Sequence, residues 1–241
     1  MTEWEQLGQS LSIQSDAEFD YIETMDIHEA SKVDLGDSGI YMEATVIYFD
    51  IKNLSYMLKE NGRRKTAKAY SMFQKVLTAV AEHTGAFVNC FSFDSFLVVY
   101  PGKEESIKDA VTGALNISYM LSETYKQQFE SVSGLEFAMG LDHGHIMGVK
   151  NLSDNGDVHI TWFGQCILKA RRICRECARP FYVGVSGMVY HSLDEDLRIA
   201  TRRILGIKKK VEIWTKSSYQ FDNVKKHLYQ TNHKFSIDGE K

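Results

Sequence analysis

Apolar residues along the chain gather in strand-length runs separated by stretches of helical spacing. Residues 44–49 form one such run, closed by Asp50, and residues 88–100 read as two strands joined by a tight turn with Asp94 inside it. Between them lie a short helical stretch near 53–60 and a longer amphipathic helix from about 64 to 83. In the longer helix Tyr70, Phe73, Val76, Leu77 and Val80 recur at helical spacing, and Gly85 ends it. A second long helix over roughly 104–129 leads through Gly134 into strands at 135–142 and 145–149. A loop at 151–156 then returns the chain to a strand at 158–162. Gly164 opens a further helix, Pro180 ends that segment before a strand at 181–185, and residues 205–214 read as a basic hairpin closing the sheet. Strand, helices, hairpin, helix, strand is the order of an α+β, ferredoxin-like or palm arrangement, with antiparallel strands in the centre and helices on one face.

Composition narrows the class. With 241 residues, 44% hydrophobic and 12% aromatic, the chain can bury one substantial core. The expected organisation is an acidic, irregular extension over 1–40, a principal domain over 41–216 and a polar C-terminal tail over 217–241. A net charge of −4 argues against a large nucleic-acid or anionic-membrane footprint. The apolar stretches are strand-sized and the first residues lack the basic and apolar regions of a signal peptide, so a cytoplasmic protein is expected. The four cysteines read as reduced thiols rather than a disulfide framework.

Candidate chemistry centres on two acids. Asp50 and Asp94 stand where a core strand favours apolar residues, and a desolvated carboxylate there needs compensating positive charge. Two acids converging on one point suggest a site for Mg²⁺ or Mn²⁺, which recruits substrate phosphates to complete its shell. For either aspartate alone, a strand-end or turn acid is the plainer reading; the pairing and the downstream motifs favour metal. Arg172, two turns into the helix opened by Gly164, and Lys208, Lys209 and Lys210 supply cations suited to a metal–triphosphate site. A register shift of one would exchange Arg172 for Arg171, and the lysines also read as an exposed hairpin. Cys174 and Cys177 have zinc-like spacing without a second paired motif, so packed thiols are expected. His143 and His145 read as turn residues flanking Gly144.

These segments together resemble the class III nucleotidyl cyclases, the family of adenylate and guanylate cyclases. The resemblance is carried by residues 48–55 (YFDIKNLS), 85–94 (GAFVNCFSFD), 140–144 (GLDHG), the helix from Gly164 to Arg172 followed by Arg179-Pro180, and the closing residues 205–214, so it covers about residues 41–216. It implies an antiparallel sheet with helices packed around it. It also implies two divalent metal ions, Mg²⁺ or Mn²⁺, held by Asp50, Asp94 and the main chain of Ile51. The main chain from Ile51 through Asn53 to Leu54 would touch phosphates. From the residues themselves, one of Lys208, Lys209 and Lys210 is a candidate to reach the triphosphate, with Lys208 taken as the representative and the choice among the three left open. Arg172 would stabilise the transition state from the opposite protomer of a homodimer with shared active sites. The implied reaction is attack of the ribose 3′ oxygen on the α-phosphorus of a nucleoside triphosphate, with release of pyrophosphate.

Departures from the family pattern bear on substrate. Leu168 replaces the asparagine four residues after the helix glycine, and Gln165 replaces the acid that often follows it. The base-reading positions are Cys90 and Thr161, which match neither the adenine code nor the guanine code. Trp162, Phe163 and Phe91 are candidates to narrow the base pocket. By exclusion, the resemblance points to the bacterial anti-phage pyrimidine cyclases, with UTP or CTP favoured and cyclic UMP or cyclic CMP as product. The alternatives are an adenylate cyclase with an atypical base pocket and a cyclase-like domain that binds nucleotide without turnover. Another palm-type enzyme is a weaker option, and no Gly-Gly-Asp-Glu-Phe-like turn precedes Asp94.

Overall fold

The computed structural model describes residues 2–26, 38–90, 94–129, 132, 135–152, 158–204 and 207–235. In chain order the elements begin with α1 (Glu3–Asp16), β1 (Asp20–Glu23), β2 (Ser38–Ile51), α2 (Leu54–His83), β3 (Phe87–Cys90) and β4 (Ser95–Pro101). There follow α3 (Glu105–Tyr119), a π-helical turn (Met120–Thr124), α4 (Lys126–Phe129), β5 (Phe137–Leu152), β6 (Val158–Phe163) and α5 (Gln165–Glu176). The remainder comprises β7 (Val183–Ser186), α6 (Gly187–His191), α7 (Glu195–Arg198), β8 (Ile199–Ile204), β9 (Ile207–Glu212), β10 (Thr215–Phe221) and β11 (Val224–Thr231). The chain divides into two compact units: residues 1–43 with 145–164, and residues 44–144 with 165–241.

In the larger unit the strand order is β10-β11-β7-β5-β2-β4-β3. Its βαββαβ portion, β2-α2-β3-β4-α3-β5, is the ferredoxin-like arrangement expected from the sequence. β4 pairs antiparallel with both β2 and β3, whereas β5 and β7 are parallel. One face is covered as expected: Ile47, Phe49 and Ile51 of β2 and Phe96, Val98 and Tyr100 of β4 pack with Phe73 and Leu77 of α2 and Val111 and Ala114 of α3. Alternation along β5 decides the other face. Met139 and Leu141 join that core, so Gly140 points the opposite way, and there a Cβ would overlap the Ala170 carbonyl oxygen and the Cys174 amide nitrogen of α5. Helices therefore lie on both faces, and α5 rests on β5 backbone to backbone.

α2 is two helices in one. Gly62, with φ 73° and ψ 168°, breaks it where the sequence places the gap between a short and a long helix. In the smaller unit β1 pairs parallel with the start of β2, and β6 pairs antiparallel with the end of β5.

Helices on both faces replace the expected single helical face, and residues 1–40 are not irregular throughout, since α1 and β1 lie within them. Three further expectations are corrected. Residues 135–149 do not turn at Gly144: β5 runs unbroken, with His143 buried and its Nδ1 2.9 Å from the Thr45 hydroxyl, and with His145 stacked on Tyr41. The basic hairpin β8–β9 forms its own two-stranded sheet instead of closing the main one. Finally, the polar tail over 217–241 is in large part a hairpin. β10 and β11 join through Asp222 and Asn223, both at positive φ, and β11 pairs with β7, burying Tyr219, Leu228 and Tyr229.

Candidate active site

The site is built where β2 ends. Phe49 and Ile51 face the core, so Asp50 between them projects to the other face, the one carrying α5. In the β2–β4 ladder Asp50 stands opposite Ser95. One step further, the Ile51 amide donates to the Asp94 carbonyl at 2.8 Å. The two aspartates thus occupy adjacent positions at the same end of neighbouring strands. Neither is a core residue: Asp94 is half-buried and the Asp50 side chain is 21% exposed. Their desolvation is partial, unlike the burial expected from the apolar run, because the strand ends there and the main chain turns into α2.

That turn is itself suited to phosphate. Asn53 caps α2 without a side-chain hydrogen bond, and its carbonyl accepts the Met57 amide at 2.9 Å. First-turn amides with no side-chain cap, at the positive end of the helix dipole, favour an anion. Ile51 is buried, so what it offers a ligand is its main chain.

A cation already stands at Asp50. Lys52 Nζ lies 3.4 Å from Asp50 Oδ2 and donates to the Cys174 carbonyl of α5 at 2.7 Å, while the Lys52 amide donates to the Glu136 carbonyl at 2.9 Å. Asp50 and Asp94 present only hard oxygen donors, accessible enough for water and phosphate to complete a shell. With an ammonium drawn to the same carboxylate, the donor set fits a divalent cation. Among the described residues no group of three or more His, Cys, Asp or Glu gathers as a protein-only metal cage, so phosphate oxygens would have to supply further ligands.

Arg172 is 44% exposed and pairs with Glu176 at 2.7 Å along α5, while the Arg171 guanidinium stands over the Tyr48 ring at 5.9 Å. Leu168, at the asparagine position, is 52% exposed, and Gln165 opens α5. Lys208 is exposed on β9, opposite Arg203. Cys90 ends β3 opposite Phe96, its side chain and Phe91 lying outside the described residues. Thr161 is half-buried in β6 of the smaller unit, beside buried Trp162 and exposed Phe163. One chain therefore brings Asp50, Asp94, the start of α2 and the end of α5 together, and leaves Arg172 and Lys208 facing solvent.

Two residues escaped the sequence reading. Lys52 gave no periodic signal, because it lies in the turn after the strand. Asp142, an acid ending the apolar run from Phe137, was visible only as part of a motif. Its side chain is 3% exposed, its Oδ2 is buried without a hydrogen-bond partner, and that oxygen lies 3.7 Å from Lys169 Nζ of α5. Burial raises its pKa above the ordinary carboxylate range, against the lowering influence of Ser186 and Lys169. Cys174 and Cys177 are packed thiols: burial pushes both up, Cys177 to about 12, and each lies against a β5 carbonyl, Ala138 at 3.3 Å and Met139 at 3.8 Å. A separate cavity of about 490 Å³, lined by Met72, Val76, Ala79, Val80, Met120 and Tyr125 with Lys75 and His83, contains none of the site residues and offers no carboxylate.

Comparison with known proteins places the fold. No family model matches the chain. The guanylyl cyclase Cya2 superposes with a TM-score of 0.65 at 14% identity, over 83% of this chain and 96% of that one. The adenylyl cyclase CyaB from P. aeruginosa gives 0.62 at 15% identity, over 79% and 94%. The chain has the class III nucleotidyl cyclase fold. A class III adenylyl cyclase-like ATP-binding protein from Pseudomonas aeruginosa shares that fold, at TM-score 0.63 and 15% identity over 82% of this chain and 45% of the other. In sequence, 128 residues are 27% identical to a uridylate cyclase of Rhodovulum sp. (strain MB263), covering 53% of this chain and 51% of that protein. The chain thus spans about half the length of this curated relative. Among the described residues no helix of this cyclase-fold chain is long and apolar enough to cross a membrane.

Proposed function

We propose that the chain is a nucleotidyl cyclase, converting a nucleoside triphosphate to its 3′,5′-cyclic nucleotide and pyrophosphate at a two-metal site. The observation that carries this reading is the pair Asp50 and Asp94, adjacent at the ends of β2 and β4 and joined through the Ile51–Asp94 backbone hydrogen bond. These two carboxylates and the Ile51 main chain would hold the cations. When bound, the cations would make the 3′ hydroxyl more acidic and neutralise charge on the triphosphate. The unsatisfied amides at the start of α2 bind phosphate oxygens, and Lys208 adds a point charge from β9. Arg172, solvent-facing in one chain, reaches the reacting phosphorus of a second copy in a homodimer with shared active sites.

UTP or CTP is the favoured substrate. The similarity to a uridylate cyclase supports this, as do Cys90 and Thr161, which fit neither purine code. On this reading the product is a cytoplasmic second messenger in bacterial anti-phage defence. A second reading, nucleotide binding without turnover, draws on exposed Leu168 at the ribose-contact position and on the resemblance to an ATP-binding cyclase-like protein. Incubation with ATP, GTP, CTP and UTP plus Mn²⁺, followed by product analysis, separates the two. Cyclic UMP or cyclic CMP is the expected product. Cyclic AMP alone would remove the pyrimidine assignment, and no cyclic product from any triphosphate would remove catalysis.

The shared site has its own test. Asp50→Asn and Arg172→Ala proteins, each inactive, should regain about a quarter of parental activity when mixed, since half the dimers then carry one intact site of two. A mixture no more active than its components would place Arg172 outside the partner's site.

A further inference from the structure

We infer that Lys52 is an internal placeholder cation that competes with the divalent metal for Asp50 and ties that competition to the last turn of α5. The inference deepens the metal site proposed above and rests on that reading. Lys52 bridges two negative groups: the Asp50 carboxylate, 3.4 Å from its ammonium, and the Cys174 carbonyl at 2.7 Å. The bridge is partly shielded, both side chains being 21% exposed, and its backbone is fixed by the Lys52–Glu136 hydrogen bond.

Each end of the bridge has a physical reason. Asp50 ends a strand among apolar neighbours, and an ammonium beside it offsets its partial desolvation. Cys174 lies in the last turn of α5, where carbonyls lack intrahelical partners and carry the negative end of the helix dipole. Its carbonyl also receives the Cys177 amide at 3.2 Å, an amide shared with the Ile173 carbonyl at 3.1 Å. Lys52 therefore helps close the same turn that follows Arg172.

A dication at Asp50 changes both ends. At about 5 Å, an ammonium opposes a dication strongly enough, even in near-aqueous surroundings, to weaken its binding roughly tenfold. Lys52 leaves as metal enters, and the Cys174 carbonyl loses its charged partner. The helix bearing Arg172 thereby registers whether Asp50 holds metal. The freed ammonium, on a flexible stem beside the start of α2, is then available to the triphosphate.

The test is Mn²⁺ titration without nucleotide, followed by electron paramagnetic resonance, on the full chain and on Lys52→Met, Lys52→Gln and Asp50→Asn. Methionine keeps the packing of the lysine stem and removes its charge. Both Lys52 variants should bind Mn²⁺ roughly tenfold more tightly than the parent, and Asp50→Asn at least tenfold less tightly. Amide exchange over residues 175–178 should quicken on adding Mn²⁺ to the parent, and should already be fast and unresponsive in Lys52→Met. Equal or weaker Mn²⁺ binding in both Lys52 variants, with Asp50→Asn still impaired, would overturn the inference and leave the metal site standing. Parental binding indifferent to Asp50→Asn would overturn the metal site and the inference with it. Tighter binding in the Lys52 variants without the exchange response would overturn the link to α5.

Discussion

Asp50→Asn and Asp94→Asn should each abolish cyclic-nucleotide formation while leaving the fold unchanged. The expected loss is about 10³-fold or more, the scale on which removal of one charge-stabilising group acts at a phosphoryl centre. Stability should move far less. The Asp50 carboxylate is partly exposed and its ion pair with Lys52 is 3.4 Å long, so deleting it costs on the order of 1 kcal/mol or less. Matching far-ultraviolet circular dichroism and denaturant midpoints, beside product yields from the preferred triphosphate, check both halves. A variant that keeps more than about a tenth of parental activity would take that aspartate out of the metal shell.

Gly140→Ala should be strongly destabilising. The added methyl group has no room: it meets the Ala170 carbonyl oxygen and the Cys174 amide nitrogen, both backbone atoms of α5. Neither can rotate away, so the helix must lift from β5. Overpacking of this kind costs about 1–3 kcal/mol, and the backbone collision sets the expectation at about 3 kcal/mol in chemical denaturation. Activity should fall as well in the folded fraction, because the Lys52 bond to Cys174 and the setting of Arg172 depend on that helix position. Gly8→Ala is the control: nothing lies within 4 Å of a Cβ there, and alanine favours the helix by up to about 1 kcal/mol. A Gly140→Ala protein as stable as the parent would show that α5 can sit further from the sheet.

The sequence made legible those elements that bury one face or one stripe. β2, β4, α2 and α5 carry apolar residues at the spacing their geometry requires, and each lies within a few residues of its expected place. The Asp50–Asp94 pair was legible because acids interrupt apolar runs. What escaped was structure without that contrast. The β10 residues Thr215–Ser218 and the β11 residues Val224–His227 are all exposed, so no alternation marks them as strands. Their one local signal was the turn pair Asp222-Asn223. β5 is expected as two strands because Gly144 between histidines resembles a turn, whereas in the structure its neighbours in the sheet continue along it, His143 lies beside the Thr45 hydroxyl and His145 stacks on Tyr41. Lys52 was missed for a related reason: its role comes from α5, more than a hundred residues later in the chain.

The β10–β11 hairpin, which carries none of the family's motifs, has a protective office. β7 lies between β5 and β11 in the sheet, and Leu228–Thr231 pair with Val183–Ser186 along its outer side. Without that hairpin, four consecutive buried residues would end the sheet as a bare row of amides and carbonyls, the template on which foreign strands and second copies zip together. The segment least recognisable as cyclase thus moves the open end of the sheet from the fully buried β7 to β10, whose first four residues are exposed and include Lys216, a charged edge less suited to pairing.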